Sequence, residues 1–117
     1  LDDRQLEIAQ KLTGCVFEKV LEIKTHFDHS AIFSGQMTKL INDIPLDSKD
    51  WQTRKIVVIP PSLSIISCML LPELHGRMGY FPAVIRVKPI PGSTPPVYEP
   101  AEIINLQVIR DQARSLR

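Results

Sequence analysis

Cysteine is scarce in this sequence: Cys15 and Cys68 are the only two among 117 residues. They stand far apart in apolar surroundings, with no Cys-x-x-Cys spacing. That argues against a zinc site or a disulfide framework and reads as buried free thiols of a reduced cytoplasm, the expected location. No metal site is expected. An excess of one charge is missing as well. Fourteen Lys and Arg oppose 13 Asp and Glu, for a net charge of +1. No global field then draws a polyanion, so long nucleic acid is not an expected partner, and an anionic ligand needs a local set of donors. The longest apolar run, residues 63 to 71, contains serines and a cysteine and is too short to span a bilayer. Nothing resembles a signal peptide, so no membrane partner is expected. Neither a Gly-x-Gly-x-x-Gly nor a Gly-x-x-x-x-Gly-Lys-Ser/Thr string occurs, which disfavours dinucleotides and P-loop ligands, and no cofactor is expected. The Gly-x-Ser-x-Gly elbow of serine hydrolases is missing too.

What remains is an ordinary globular composition, 44% hydrophobic and 23% charged, at the length of a single domain spanning residues 1–117. Asp2 and Asp3 precede Leu6, Ile8, Ala9 and Leu12, and Gly14 follows, which predicts a short helix. The β-branched and aromatic run from Val16 to about Phe27 predicts a strand. Ser30 is placed to cap a helix carrying Phe33, Met37, Leu40 and Ile41, with Pro45 as its stop. Asp47 with Asp50 three residues on forms a capping box ahead of Trp51. The run Ile56-Val57-Val58-Ile59 lacks alternation and predicts a strand buried on both faces, as in a parallel sheet. A nearly all-apolar helix follows over residues 63 to 75, stopped at Gly76 and Gly79, with Pro72 expected to kink it or end it early. Residues 84 to 87 predict another strand, the proline-rich stretch 89 to 96 a loop, residues 101 to 106 a last strand, and 108 to 116 a terminal helix.

This alternation predicts an α/β fold with βαβ units: a Rossmann-like, mainly parallel sheet with helices on both faces. Doubly wound sheets place their first strand centrally, so the pattern leads us to expect that strand upstream of Leu1. Ligands of such sheets bind beyond the carboxyl ends of the strands. Three ends are legible: His26 to His29, Pro60-Pro61-Ser62-Leu63-Ser64, and Lys88 to Ser93. At the middle one, Ser62 or Ser64 is the natural N-cap, and its hydroxyl with the free backbone N–H groups makes a seat for phosphate. Capping alone is the competing reading. His26 and His29 on a strand point to opposite sides and do not converge on an ion. His75 and Arg77 close the apolar helix, where cations suit the helix dipole; alternatively they reach an anion held by a partner subunit. Glu73 and Glu102 read as lone surface carboxylates.

Three stretches carry a family resemblance. They are Trp51-Gln52-Thr53, Pro60-Pro61-Ser62-Leu63, and Glu73-Leu74-His75-Gly76-Arg77-Met78-Gly79-Tyr80-Phe81-Pro82. Pro91-Gly92-Ser93-Thr94-Pro95-Pro96 and Ala101-Glu102-Ile103-Ile104-Asn105-Leu106-Gln107 extend it. Together they resemble the CRISPR-associated Csx-fifteen family, small proteins of type III CRISPR loci grouped with the CRISPR-associated Rossmann fold (CARF) proteins. The resemblance implies a CARF-type homodimer, or a higher homo-oligomer, that binds a cyclic oligoadenylate. The tetra-adenylate ring is the expected form. The free level of this second messenger would fall by sequestration or, alternatively, by metal-independent ring cleavage, with His29 or His75 as the candidate acid or base. A purely structural oligomerisation module is the third reading. Ligand contacts are expected from Phe27, His29, Pro61, Ser62, Leu63, Ser64, His75, Arg77 and Ser93, with Phe27, Tyr80, Phe81 and the proline loop as walls for adenine. Members of that family open with a hydrophobic strand that has no counterpart in these residues, and Pro72 stands where a helix former is expected.

Overall fold

Asp2 and Asp47 each begin a helix, for the same local reason. The Asp2 carboxylate accepts from the Gln5 N–H at 2.8 Å while the Gln5 amide oxygen accepts from the Asp2 N–H, and Asp47 and Asp50 repeat the exchange. These capping boxes satisfy N–H groups that the helix itself cannot. The structure is a computed structural model that describes residues 1–117. Its elements are α1 (Asp3–Thr13), α2 (Phe33–Asn42), α3 (Ser48–Thr53), β1 (Val57–Val58), α4 (Ser64–Met78), β2 (Ala83–Pro89), β3 (Tyr98–Asn105) and α5 (Leu106–Ser115). The protein is thus α/β, with five helices and one three-stranded sheet. The chain forms two compact units, one of residues 1–20, 57–60 and 83–117, the other of residues 21–56 and 61–82.

The first unit holds the sheet, in the order β1-β2-β3, with α1 against β3 and α5 against β2. β1 and β2 are parallel, whereas β2 and β3 are antiparallel, so the sheet is mixed and not mainly parallel as the alternation predicted. The reason is connection length. Parallel neighbours need a crossover of a dozen or more residues, and residues 90–97 between β2 and β3 are too few for one. β1 also departs from expectation. It is two residues long and sits at the sheet edge, with Val57 and Val58 half-buried and Ile59 37% exposed. An unbroken apolar run reports the faces of a strand but not its lateral neighbours, and here one flank is open.

The predicted strand over 16 to 27 does not form. Its composition suits a strand, but strand main-chain groups are satisfied only by a ladder, and none runs beside it. The Gln10 side chain accepts from the Phe17 N–H instead, and Val16 is 84% exposed.

The second unit packs α2 and α3 on α4. α4 continues past Pro72 and past Gly76, its first expected stop, for 15 residues in all, and ends at Gly79, whose φ of 87° is the left-handed conformation that glycine adopts without strain. Magnitudes explain why Pro72 does not end it. Ile66, Leu70, Leu74 and Met78, four residues apart, form one buried stripe. Each buried aliphatic side chain contributes about 1.5–3 kcal/mol, together well above the ~3 kcal/mol that an interior proline costs. Pro72 lies on the opposite, exposed side with Ile65, Cys68 and Gly76, so the helix is buried along one stripe and not all round. The cysteines are likewise less buried than their surroundings suggested: Cys15 is half-buried and Cys68 exposed.

Candidate functional site

The turn that leads into α4 is held by its own side chains, though not in the way the serines suggest. The N-cap is Leu63, an extended residue with no side-chain hydrogen bond. Neither Ser62 nor Ser64 caps the helix: Ser62 precedes the cap, and Ser64 is already the first helical residue. Capping requires the hydroxyl one position away from where either serine stands. Ser67 does the fastening, donating from its hydroxyl to the Pro61 carbonyl at 2.8 Å, while the Ser67 N–H reaches the Leu63 carbonyl. Pro61 is half-buried, and Ser62, Leu63 and Ser64 are exposed. The N–H groups of the first turn of α4 are therefore left without a side-chain acceptor, and the positive end of the helix dipole stands beside two exposed hydroxyls.

At the other end of α4, Arg77 is tightly engaged. Its Nε and Nη2 donate to Glu73 Oε1 at 2.9 and 2.7 Å, and Nη2 donates also to Asn42 Oδ1 at 2.8 Å. Asn42 is the last residue of α2, so the guanidinium ties α2 to α4. Arg77 and Glu73 also line a shallow groove of about 710 Å³ with Ser34, Thr38, Met69 and Pro72. Glu73 is thus no lone surface carboxylate; its spacing of four from Arg77 on a helix was the legible signal. His75 packs its ring on Phe81, centroids 4.4 Å apart and tilted by 46°. Thirteen residues at ~1.5 Å each separate Ser64 from Arg77, about 20 Å along α4. One chain does not bring the serine turn and the His75–Arg77 end together.

Phe27 is buried, edge-on to Phe33 at 5.2 Å, so it belongs to the core and offers no open wall. His29 is exposed and meets the same Phe33 ring at 5.2 Å. Between them Asp28 replaces the expected cap: its carboxylate accepts from both the N–H and the hydroxyl of Ser30, so Ser30 is drawn into a turn and the N-cap of α2 falls to Ile32, without side-chain help. The Gln36 side chain closes the loop by bonding both main-chain groups of Asp28, a role that sequence spacing did not reveal. Tyr80 is partly exposed. In the first unit Ser93 is committed to its own loop, donating to the Ile90 carbonyl and accepting from the Val97 N–H. No set of three His, Cys, Asp or Glu side chains is placed to hold a metal ion, and no helix is long and apolar enough to cross a membrane.

The Ser30 hydrogen bonds, side chain first and then backbone, hold the Asp28 carboxyl below the usual carboxylate range. A carboxylate with a lowered folded pKa contributes stability above its unfolded value and loses it as pH falls through the folded one. The turn at residues 28–30 is therefore expected to hold at neutral pH and to loosen only below the ordinary carboxylate range. The Ser30 amide resonance followed through an acid titration checks this: it should move with an Asp28 midpoint below that of an exposed aspartate. In Asp28→Asn the transition should vanish.

No family model, curated protein or solved structure matches this chain. The functional reading therefore rests on the geometry above and on the sequence resemblance.

Proposed function

We propose that this protein is a CARF-type, Rossmann-like domain of the Csx-fifteen family that binds cyclic tetra-adenylate across a homodimer and lowers its free level by sequestration. The observation that carries the reading is the uncapped start of α4: main-chain N–H groups without a side-chain cap and the positive end of a helix dipole lie beside the exposed residues Ser62 and Ser64. A cyclic tetra-adenylate has four phosphates and adopts two-fold symmetry, and a two-fold dimer presents each patch twice. Each chain then satisfies two phosphates. Because one chain keeps its serine turn and its Arg77 about 20 Å apart along α4, the Arg77 end of one chain would serve a phosphate seated on the other. A net charge of +1 does not oppose this, because the donors are local.

Incubation with radiolabelled cyclic tetra-adenylate tests the proposal. The ring is expected back intact from the protein-bound fraction. A linear product means a ring nuclease, which needs only the ribose 2′-hydroxyl in line with its phosphate and an acid or base such as His29 or His75. Failure to retain the ring at all leaves the structural oligomerisation module.

A further inference from the structure

Residues 21 to 26 have the side chains of a strand and none of its bonds. The segment runs from Leu21 to His26 without a turn or bend, and all six residues are exposed. None of their main-chain groups makes a hydrogen bond within the chain, and neither Glu22 nor Lys24 has an ion-pair partner. All six belong to the second unit. Successive side chains of an extended chain point to opposite sides. Leu21, Ile23 and Thr25 therefore share one side, and Glu22, Lys24 and His26 the other.

We infer that this segment pairs with the same segment of a second copy, antiparallel and across a two-fold axis at Ile23, as a ribbon that forms without any ligand. Unpaired main-chain groups of an extended segment are a template for another extended chain, and the charges select which one. A two-fold axis perpendicular to an antiparallel ribbon keeps each side chain on its own face, so residues that stand opposite each other differ by an even number of positions. With the axis at Ile23, Glu22 of each chain stands opposite the partner's Lys24, Leu21 opposite the partner's Thr25, and Ile23 opposite itself. Two ion pairs then lie on one face, and apolar and β-branched groups on the other. Every neighbouring register is worse. An axis at Glu22 or Lys24 places like charges opposite each other, an axis at Thr25 sets Glu22 against Asp28, and an axis at Leu21 sets Glu22 against Val20 and Ile23 against Lys19. An unrelated strand meets the main chain equally well but leaves Glu22 and Lys24 unmatched, which is how charged edges discourage chance pairing. Two strands alone are marginal in water, so the association is expected to depend on protein concentration.

Sedimentation of the ligand-free full chain over a concentration series tests the inference. Glu22→Lys and Lys24→Glu alter exposed side chains that hold nothing in the fold. Each turns two opposite-charge pairs into like-charge pairs, and each is expected to weaken self-association at least about tenfold. The double variant Glu22→Lys with Lys24→Glu reforms both pairs in reverse order and should recover it. An equal mixture of the two single variants should form mixed dimers for the same reason. In the unaltered chain, amide exchange within residues 21–25 should slow as concentration rises. A monomer at every concentration would overturn the inference. So would a dimer that ignores both single changes, or a double variant that associates no better than the singles. None of these readings uses cyclic tetra-adenylate, so the ribbon and the proposed nucleotide binding stand or fall separately.

Discussion

Replacing Arg77 by alanine is expected to weaken binding of cyclic tetra-adenylate roughly 10- to 150-fold, because a hydrogen bond to a charged group contributes about 1.5–3 kcal/mol. The structure shapes how this loss should look. Nε and Nη2 of Arg77 are committed to Glu73 and Asn42, so of its nitrogens the proposal has only Nη1 to offer a phosphate without breaking those bonds. If the proposal holds, the intramolecular bonds brace the guanidinium before ligand arrives, and Glu73 competes with the phosphate for the same charge. Glu73→Gln should therefore tighten binding while Arg77→Ala loosens it. Arg77→Lys should restore charge but not the fork, and fall between the two. Calorimetry on all three separates the roles. If Arg77→Ala binds like the unaltered chain, the arginine is only a tie between α2 and α4. Ser62→Ala is expected to cost less than Arg77→Ala, since the main-chain donors remain. It should also leave thermal stability unchanged, because Ser62 caps nothing.

The largest expected effect on stability is at Trp51. This side chain is 5% exposed, sits in the short helix α3 and is buried where α3 packs on α4. Removing a buried large side chain costs about 3–5 kcal/mol through lost transfer energy and the cavity left behind. Domains of this size have only about 5–15 kcal/mol in all. At roughly 4 °C or more per kcal/mol, Trp51→Ala should lower the melting temperature by more than about 10 °C. Trp51→Phe, which keeps most of the apolar volume, should cost clearly less. A calorimetric scan in which Trp51→Ala melts with the unaltered protein would show that α3 contributes nothing to the fold.

Features set by residues close in sequence were legible in it. Asp47 with Asp50 forms its box within a single turn and Gly14 ends α1 where expected, because each acts through bonds that do not depend on the rest of the molecule, whereas α4 runs on through Gly76, the first of its two expected stops, and ends at Gly79. The errors lie where an element needs a distant partner. Residues 16 to 27 have the side chains of a strand but no neighbour to pair with, and Ile56 to Ile59 have the side chains of a central strand but stand at an edge. Pro72 illustrates the reverse: a local breaker is overruled by the stripe Ile66, Leu70, Leu74 and Met78, whose burial depends on α2 and α3. The candidate site divides in the same way. The Pro61–Ser64 turn was visible as a strand end meeting a helix start. The tie from Arg77 to Asn42, 35 residues away, and the Ser67 bond that replaces the cap were not, since nothing in the local spacing announces them.

The most direct measurement of the central claim is the stoichiometry of cyclic tetra-adenylate binding, by calorimetric titration with light scattering on the same sample. The account predicts saturation at one ring per two chains, with the complex at the mass of a dimer or a multiple of it. Saturation at one ring per chain on a monomer, or no heat of binding at micromolar protein, would contradict it.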